Sequence, residues 1–145
     1  MIQDVIISKK KQFIDDRGKI MHMLRNDEDI FKSFGEIYFS CIFQYKVKAW
    51  HLHKKMTLNY SVIHGEIKLV LFDDRAKSST KGLVQEIKLS PENHCVVTVP
   101  PLIWNGFISL YKGTSIVANC SDIPHDINEI IRKDFNDTSI PYRWK

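Results

Sequence analysis

Several things are missing from this chain, and each absence removes a class of protein. No apolar run approaches the length of a membrane span, and the opening MIQDVIISKKK lacks the apolar core and cleavage site of a signal peptide. A cytoplasmic protein without membrane contact is therefore expected. A dense basic stripe is also missing. The 21 Lys+Arg against 17 Asp+Glu leave a formal charge of only +4, and KKK at 9–11 is the only basic run, of the kind that usually forms a solvated strand end. With no RNA- or DNA-binding motif, nucleic acid is not an expected partner; so mild an excess suits a small anionic ligand. Cysteine is scarce and odd in number. Cys41, Cys95 and Cys120 lie far apart among apolar neighbours, which predicts buried, reduced thiols and a reducing compartment. There is no internal repeat, linker or low-complexity tract, so residues 1–145 read as one domain.

What is present is an ordinary globular balance, 43% hydrophobic and 26% charged over 145 residues, enough for a real core. Short β-branched and aromatic runs alternate with turn signals. VIIS and KIMHMLR flank IDDRG, EIYFSCIFQ and VKAWHLH follow, and TLNYSVI and EIKLVLFDD hinge at His64–Gly65 like a tight hairpin. LVQEIKL and HCVVTVPP surround SPEN, and IWNGFISLY and SIVANC surround KG. DEDIFKSFG reads as a loop or short helical turn. One segment breaks the rhythm: in DINEIIRK (126–133), Asp126 stands three residues before Glu129. That is capping-box spacing, and it predicts one short helix. About ten strands and a late helix argue for an all-β sandwich or barrel.

The segment KAWHLHKKMTLNY (48–60) concentrates the polar chemistry. On a strand His51 and His53 share a face, and continued alternation would add Lys55 and Asn59, leaving Trp50, Leu52, Met56 and Leu58 on the apolar side. An exposed polar face is one reading, though Trp50, Tyr60 and PPLIWNGF suit the wall of a pocket. A metal site is a second. His-x-His is half a ligand set, but no carboxylate follows within five residues, and two lysines adjoin it, so no metal is expected. Proton transfer is the third: a histidine can take a proton next to a carbonyl if Lys48, Lys54 or Lys55 holds an anionic substrate or the developing oxyanion. His64 and His94 fall in turns, with His94 read as exposed, and His125 precedes the predicted helix. Asp73, Asp74 and Arg75 read as a surface ion-pair cluster. Tyr60, Asn59 and Asn105 are polar groups on strands expected to line the barrel, and Tyr142 and Trp144 are read as a lid or a docking surface for a second subunit.

FIDDRGKI, VKAWHLH, VIHGEIKLVLFDDR, LSPEN, VPPLIWNGF and CSDIPHDINEIIRKDF…IPYRW, in that order, resemble the dTDP-4-dehydrorhamnose 3,5-epimerases. The likeness covers most of the chain and implies a cupin-type double-stranded β-helix (jelly roll) and a homodimer. The family's basic histidine lies in an Arg-Gly-Leu-His stretch that matches Lys48–Ala49–Trp50–His51. This implies His51 as the base and Lys48 in place of a phosphate-contacting arginine, while Arg17 matches an arginine used on the nucleotide diphosphate. At the position of an acidic residue that helps hold thymidine, this chain has His22. Other positions depart. The family's enolate-stabilising lysine falls near Leu58, and its acid tyrosine near Ala118 or Val117. Its second histidine is Asn105, and the aspartate partner of its base would lie beyond Trp144–Lys145. The HLHK segment also resembles the dTDP-sugar 3,4-ketoisomerases, in which a His-x-His pair shuttles protons.

The implied function is an epimerase or ketoisomerase of a nucleotide-activated 4-keto-6-deoxy sugar, working without a cofactor. His51 and His53 would be the catalytic pair. Arg17, Lys48 and Lys55 would hold the diphosphate, and Asn59, Tyr60 and Asn105 the sugar. The rival from a different class is a non-catalytic sugar-nucleotide-binding cupin.

Overall fold

The computed structural model describes residues 1–145 and contains twelve strands and no α-helix; no helix is long and apolar enough to cross a membrane. In chain order the strands are β1 (Ile6–Lys9), β2 (Gln12–Asp15), β3 (Gly18–Met21), β4 (Glu36–Ile42), β5 (Val47–His53) and β6 (Leu58–His64). They continue as β7 (Ile67–Asp73), β8 (Val84–Leu89), β9 (Cys95–Val99), β10 (Ile103–Ser109), β11 (Ser115–Ser121) and β12 (Ile130–Arg132). One five-stranded antiparallel sheet runs β1-β9-β6-β11-β4 and a second runs β12-β5-β10-β7-β8, with β2 and β3 forming a separate hairpin. This is the expected all-β jelly roll.

Chain neighbours mostly sit in different sheets. His64–Gly65 is therefore not a hairpin, because β6 pairs with β9 and β11 while β7 pairs with β10 and β8. Gly65, at φ +76°, turns the chain from one sheet to the other, and a Cβ there would sit 2.5 Å from Ser115 Oγ. SPEN and KG likewise connect the two sheets. Winding back and forth in this way is what closes the barrel.

The strands carry two apolar faces where they are covered twice. In β7, Ile67, Leu69 and Leu71 join the core between the sheets, while Val70 and Phe72 join a second cluster on the outer side with Trp50, Leu52, Trp104 and Ile140. Burial on both sides explains why IKLVLFD reads as an almost unbroken apolar run. Each large aliphatic side chain so buried contributes about 1.5–3 kcal/mol. The tail supplies the outer cover: Tyr142 and Trp144 pack on Trp50, with ring centroids 6.0 and 4.9 Å away.

The predicted C-terminal helix does not form. A single turn begins, with Asp126 Oδ1 accepting from Asn128 N–H at 2.8 Å and Asp126 C=O accepting from Glu129 N–H at 3.1 Å. The chain then straightens into β12, which pairs Ile130 with His53 and Arg132 with His51. The otherwise open edge of β5 offers a ladder, and the β-branched Ile130–Ile131 pair fits it better than a helix. Two other readings also change. His94 is buried, with Nε2 2.6 Å from His22 C=O. Asp73 is fully buried and accepts from Arg75, Ser78 and Thr80. Among the cysteines, all free, Cys95 and Cys120 are buried but Cys41 is exposed.

Candidate active site

Strand β4 is patterned inside out. Ile37, Phe39 and Cys41 are exposed on its outer side, whereas Glu36, Tyr38 and Ser40 turn inward to line a cavity of about 380 Å³. Its other walls include Lys48, His51 and His53 from β5, Tyr60 from β6, Phe107 from β10, and Ile130 and Arg132 from β12, with Met56 and His125 from loops. The volume lies within the usual range for small-molecule sites. No group of three or more His, Cys, Asp or Glu side chains is placed to hold a metal ion.

Lys48 and His51 reach the same cavity although three residues separate them. The β5–β10 register pairs Asn105 with His51 but Phe107 with Lys48, so β5 carries one extra residue at a bulge. Such a bulge re-aims side chains next to a site. Its tightness demands Gly106, where a Cβ would lie 2.4 Å from Ala49 Cβ. Lys48 Nζ then donates to Ser40 Oγ at 2.9 Å and Cys41 C=O at 2.8 Å, tying the two sheets together at the cavity.

Alternation does not continue past His53. The strand ends there and residues 54–57 turn, so Met56 faces the cavity and Asn59 does not. Asn59 is buried in the sheet, accepting from Thr98 Oγ1 at 2.8 Å and donating to Cys120 C=O at 2.9 Å. Lys55 is exposed and does not line the cavity, nor does Arg17, which ion-pairs with Asp15 at the exposed β2–β3 turn. Asn105 lies just beneath the wall, where its Oδ1 accepts from Tyr60 O–H at 3.1 Å. The structure thus gathers His51, His53, Lys48 and Tyr60 with Asn105 behind them, and leaves Asn59, Lys55 and Arg17 outside this chain's cavity.

The two histidines differ. His53 is buried and its Nδ1 pairs with Glu129 Oε1, while Glu129 Oε2 accepts from the N–H groups of Lys55 at 3.1 Å and Met56 at 3.3 Å. Burial pushes the Glu129 carboxyl up, but these hydrogen bonds outweigh it and hold the group below the ordinary glutamate range. With Nδ1 engaged, Nε2 is the nitrogen left for other chemistry. His51 has no side-chain hydrogen bond within the chain; burial, then the charges of Arg132, His53 and Lys48, push it down to about 4, so it is neutral at pH 7.

Sequence reasoning missed Glu129, Arg132 and Tyr38. Glu129 was assigned to a capping box, which hid its carboxylate from the histidines. Arg132 falls within the segment whose spacing predicts a helix, and it is the pairing of β12 with β5 that brings it to the cavity. Tyr38 carried a legible signal, the alternating Glu36-x-Tyr38-x-Ser40 in an otherwise apolar strand.

Comparison with known proteins agrees with this fold and extends over all of it. A dTDP sugar isomerase of Desulfovibrio desulfuricans G20 is 38% identical, superposes with a TM-score of 0.96, and is matched over 99% of this chain and 92% of its own. A probable low-salt glycan biosynthesis epimerase of Haloferax volcanii, Agl13, is 28% identical over 143 residues, 97% of this chain and 88% of its own. The epimerase of Legionella pneumophila, solved with dTDP-4-keto-L-rhamnose, shares the fold at a TM-score of 0.87 and 22% identity, over 99% of this chain and 80% of its own. The family model for dTDP-4-dehydrorhamnose 3,5-epimerase matches residues 1–145, and the chain therefore belongs to that family of isomerases.

Proposed function

We propose that this protein epimerises a dTDP-linked 4-keto-6-deoxy sugar, with His53 held by Glu129 as the base. The observation that carries the reading is the buried His53–Glu129 pair opening on a cavity that also holds Lys48 and Arg132. Deprotonation of carbon next to a ketone needs an oriented base and a means to hold the enolate oxygen. Glu129 fixes the proton on His53 Nδ1, so Nε2 presents its lone pair to the substrate. The resemblance makes His51 the base; the geometry favours exchanging the roles. A neutral imidazole with a depressed pKa is a good hydrogen-bond donor to a carbonyl that becomes an enolate, and His51 fits that part beside Arg132. Arg132 thereby takes over from the lysine whose place falls near Leu58. Lys48 serves the diphosphate.

The inside-out strand supports a homodimer. Ile37, Phe39 and Phe43 are 50%, 58% and 70% exposed, and Phe13, Ile14 and Ile20 on the β2–β3 hairpin are also open. Exposed apolar side chains on these two elements suit an interface between copies, and Arg17, at the tip of that hairpin, fits a nucleotide role across it. The single-domain, cytoplasmic reading from the sequence accompanies this proposal.

The test is incubation with dTDP-4-keto-6-deoxyglucose in heavy water, followed by NMR of sugar C3 and C5. Enzyme-dependent deuterium uptake is expected. Tight binding of dTDP-sugar with no uptake would instead identify a non-catalytic binding module.

A further inference from the structure

Inversion at carbon needs two groups on opposite faces of the sugar, one to remove a proton and one to deliver another. The imidazoles and Arg132 belong to the β12-β5-β10-β7-β8 sheet. The facing sheet carries two tyrosines into the cavity, Tyr38 on β4 and Tyr60 on β6. Two buried asparagines set the hydroxyl hydrogens of these tyrosines in opposite senses.

Asn105 Nδ2 donates to two backbone carbonyls, His51 at 3.1 Å and Ile103 at 3.3 Å. Carbonyls only accept, so the amide cannot be turned round, and Oδ1 must face Tyr60. Tyr60 is consequently the donor in its 3.1 Å contact, and its proton is committed inside the wall. Asn119 is fixed the other way. Its Oδ1 accepts from the Asn59 backbone N–H at 3.0 Å, so Nδ2 is the atom that meets Tyr38 Oη at 2.9 Å. Tyr38 is therefore an acceptor there, and its own O–H remains free for the cavity. Tyr38 is also 40% exposed, whereas Tyr60 is 5% exposed.

From this polarity we infer that Tyr38 is the proton donor of the reaction, facing the imidazole base across the cavity. The role moves by one strand relative to the position that the family resemblance assigns near Ala118 or Val117. β11 and β4 are paired with Asn119 opposite Tyr38, so a hydroxyl from β4 emerges beside that position. Burial, opposed by the Asn119 hydrogen bond and aided by Glu36, raises Tyr38 above the ordinary tyrosine range, so the donor stays protonated at neutral pH.

The step balances without any further reactant. His53 takes the proton from carbon, and the C–H electron pair moves into the C=C bond of an enolate. The pair then returns, carbon takes the hydroxyl proton of Tyr38 on the other face, and the tyrosinate is reprotonated by water as the imidazolium gives its proton up. Without the donor, the imidazolium returns its proton to the original face after exchanging it with solvent. The substrate is then labelled but not inverted.

This inference rests on the proposed base reaction, and the test separates the two. Wild type, Tyr38→Phe and Tyr38→3-fluorotyrosine are each given dTDP-4-keto-6-deoxyglucose in heavy water, and deuterium in recovered substrate is compared with epimerised product. Tyr38→Phe should keep exchange, which also shows that it is folded, while the ratio of exchange to inversion rises by about a hundredfold or more. The fluorinated variant, which keeps the hydroxyl, should restore the wild-type ratio. An unchanged ratio in Tyr38→Phe, equal loss of exchange and product, or a fluorinated variant behaving like Phe would overturn the assignment and leave the base reading standing. Absence of exchange in the wild type would take both down.

Discussion

Replacing Glu129 with Gln tests the base through its positioning residue. The carboxylate holds three groups: His53 Nδ1 on one oxygen, and the Lys55 and Met56 N–H groups on the other, at 3.1 and 3.3 Å. In Glu129→Gln the amide oxygen satisfies the two backbone donors, which leaves the NH₂ aimed at His53. An NH₂ can only donate, so Nδ1 must accept and the ring proton moves to Nε2. The nitrogen that faces the substrate is then blocked. Loss of the charge-assisted bond should cost about 1.5–3 kcal/mol of stability, leaving the fold intact. The tautomer effect should be larger. General-base catalysis is worth about 10²–10⁴-fold, and holding a catalytic imidazole in the wrong tautomer costs about 10⁴-fold in the serine-protease case. A fall in kcat of about 10³-fold is expected, with KM little changed. ¹⁵N NMR of the histidines should show the His53 proton on Nδ1 in wild type and on Nε2 in the variant. A variant keeping more than about a tenth of wild-type exchange, against the general-base magnitude above, would refute the reasoning. So would an unchanged tautomer.

Other consequences follow from the same geometry. His51 is held down to about 4 in the folded chain against 6.5 for the unperturbed side chain. Between these values the unfolded chain binds the extra proton, so stability is full above pH 6.5 and falls as pH drops toward 4, by up to about 3 kcal/mol. Denaturant unfolding at pH 7, 5.5 and 4 should show that slope in wild type, and a shallower one in His51→Asn. Gly106→Ala places a methyl 2.4 Å from Ala49 Cβ; about 1–3 kcal/mol should be lost, and activity should fall further because Lys48 and His51 flank the bulge. A stability unchanged in urea would show that the bulge relaxes freely. Arg132→Met should lower kcat about 10²–10³-fold, as removal of an oxyanion donor does, whereas an effect confined to KM would place Arg132 on the diphosphate instead.

The strands were legible because they are local: EIYFSCIF, VKAWHLH and IKLVLFD are β-branched and aromatic, and each forms where expected. Which sheet each strand joins was not, since a Gly in a tight turn serves a hairpin and an inter-sheet corner equally well, as His64–Gly65 shows. His51 and Lys48, the two residues that the family motifs single out on β5, both line the cavity. Extrapolating alternation from β5 into residues 54–59 failed, because a turn resets the phase and sends Asn59 into the sheet. The largest miss was the tail. Asp126 and Glu129 satisfy a local helix signal, but the unpaired edge of β5 lies 70-odd residues away in sequence, and local patterning cannot see it. Misreading that segment also hid the carboxylate that orients His53, so the site seemed to lack a partner which the fold supplies.

The central claim is that His53, and not His51, removes the proton. The direct measurement is the initial rate of deuterium uptake from heavy water into dTDP-4-keto-6-deoxyglucose, compared between His51→Asn and His53→Asn at matched saturation. Asparagine can still donate a hydrogen bond but cannot act as a base at neutral pH. His53→Asn should therefore show no uptake above the enzyme-free rate, while His51→Asn keeps measurable uptake at a reduced rate. The reverse order, with exchange surviving in His53→Asn and vanishing in His51→Asn, would contradict the account.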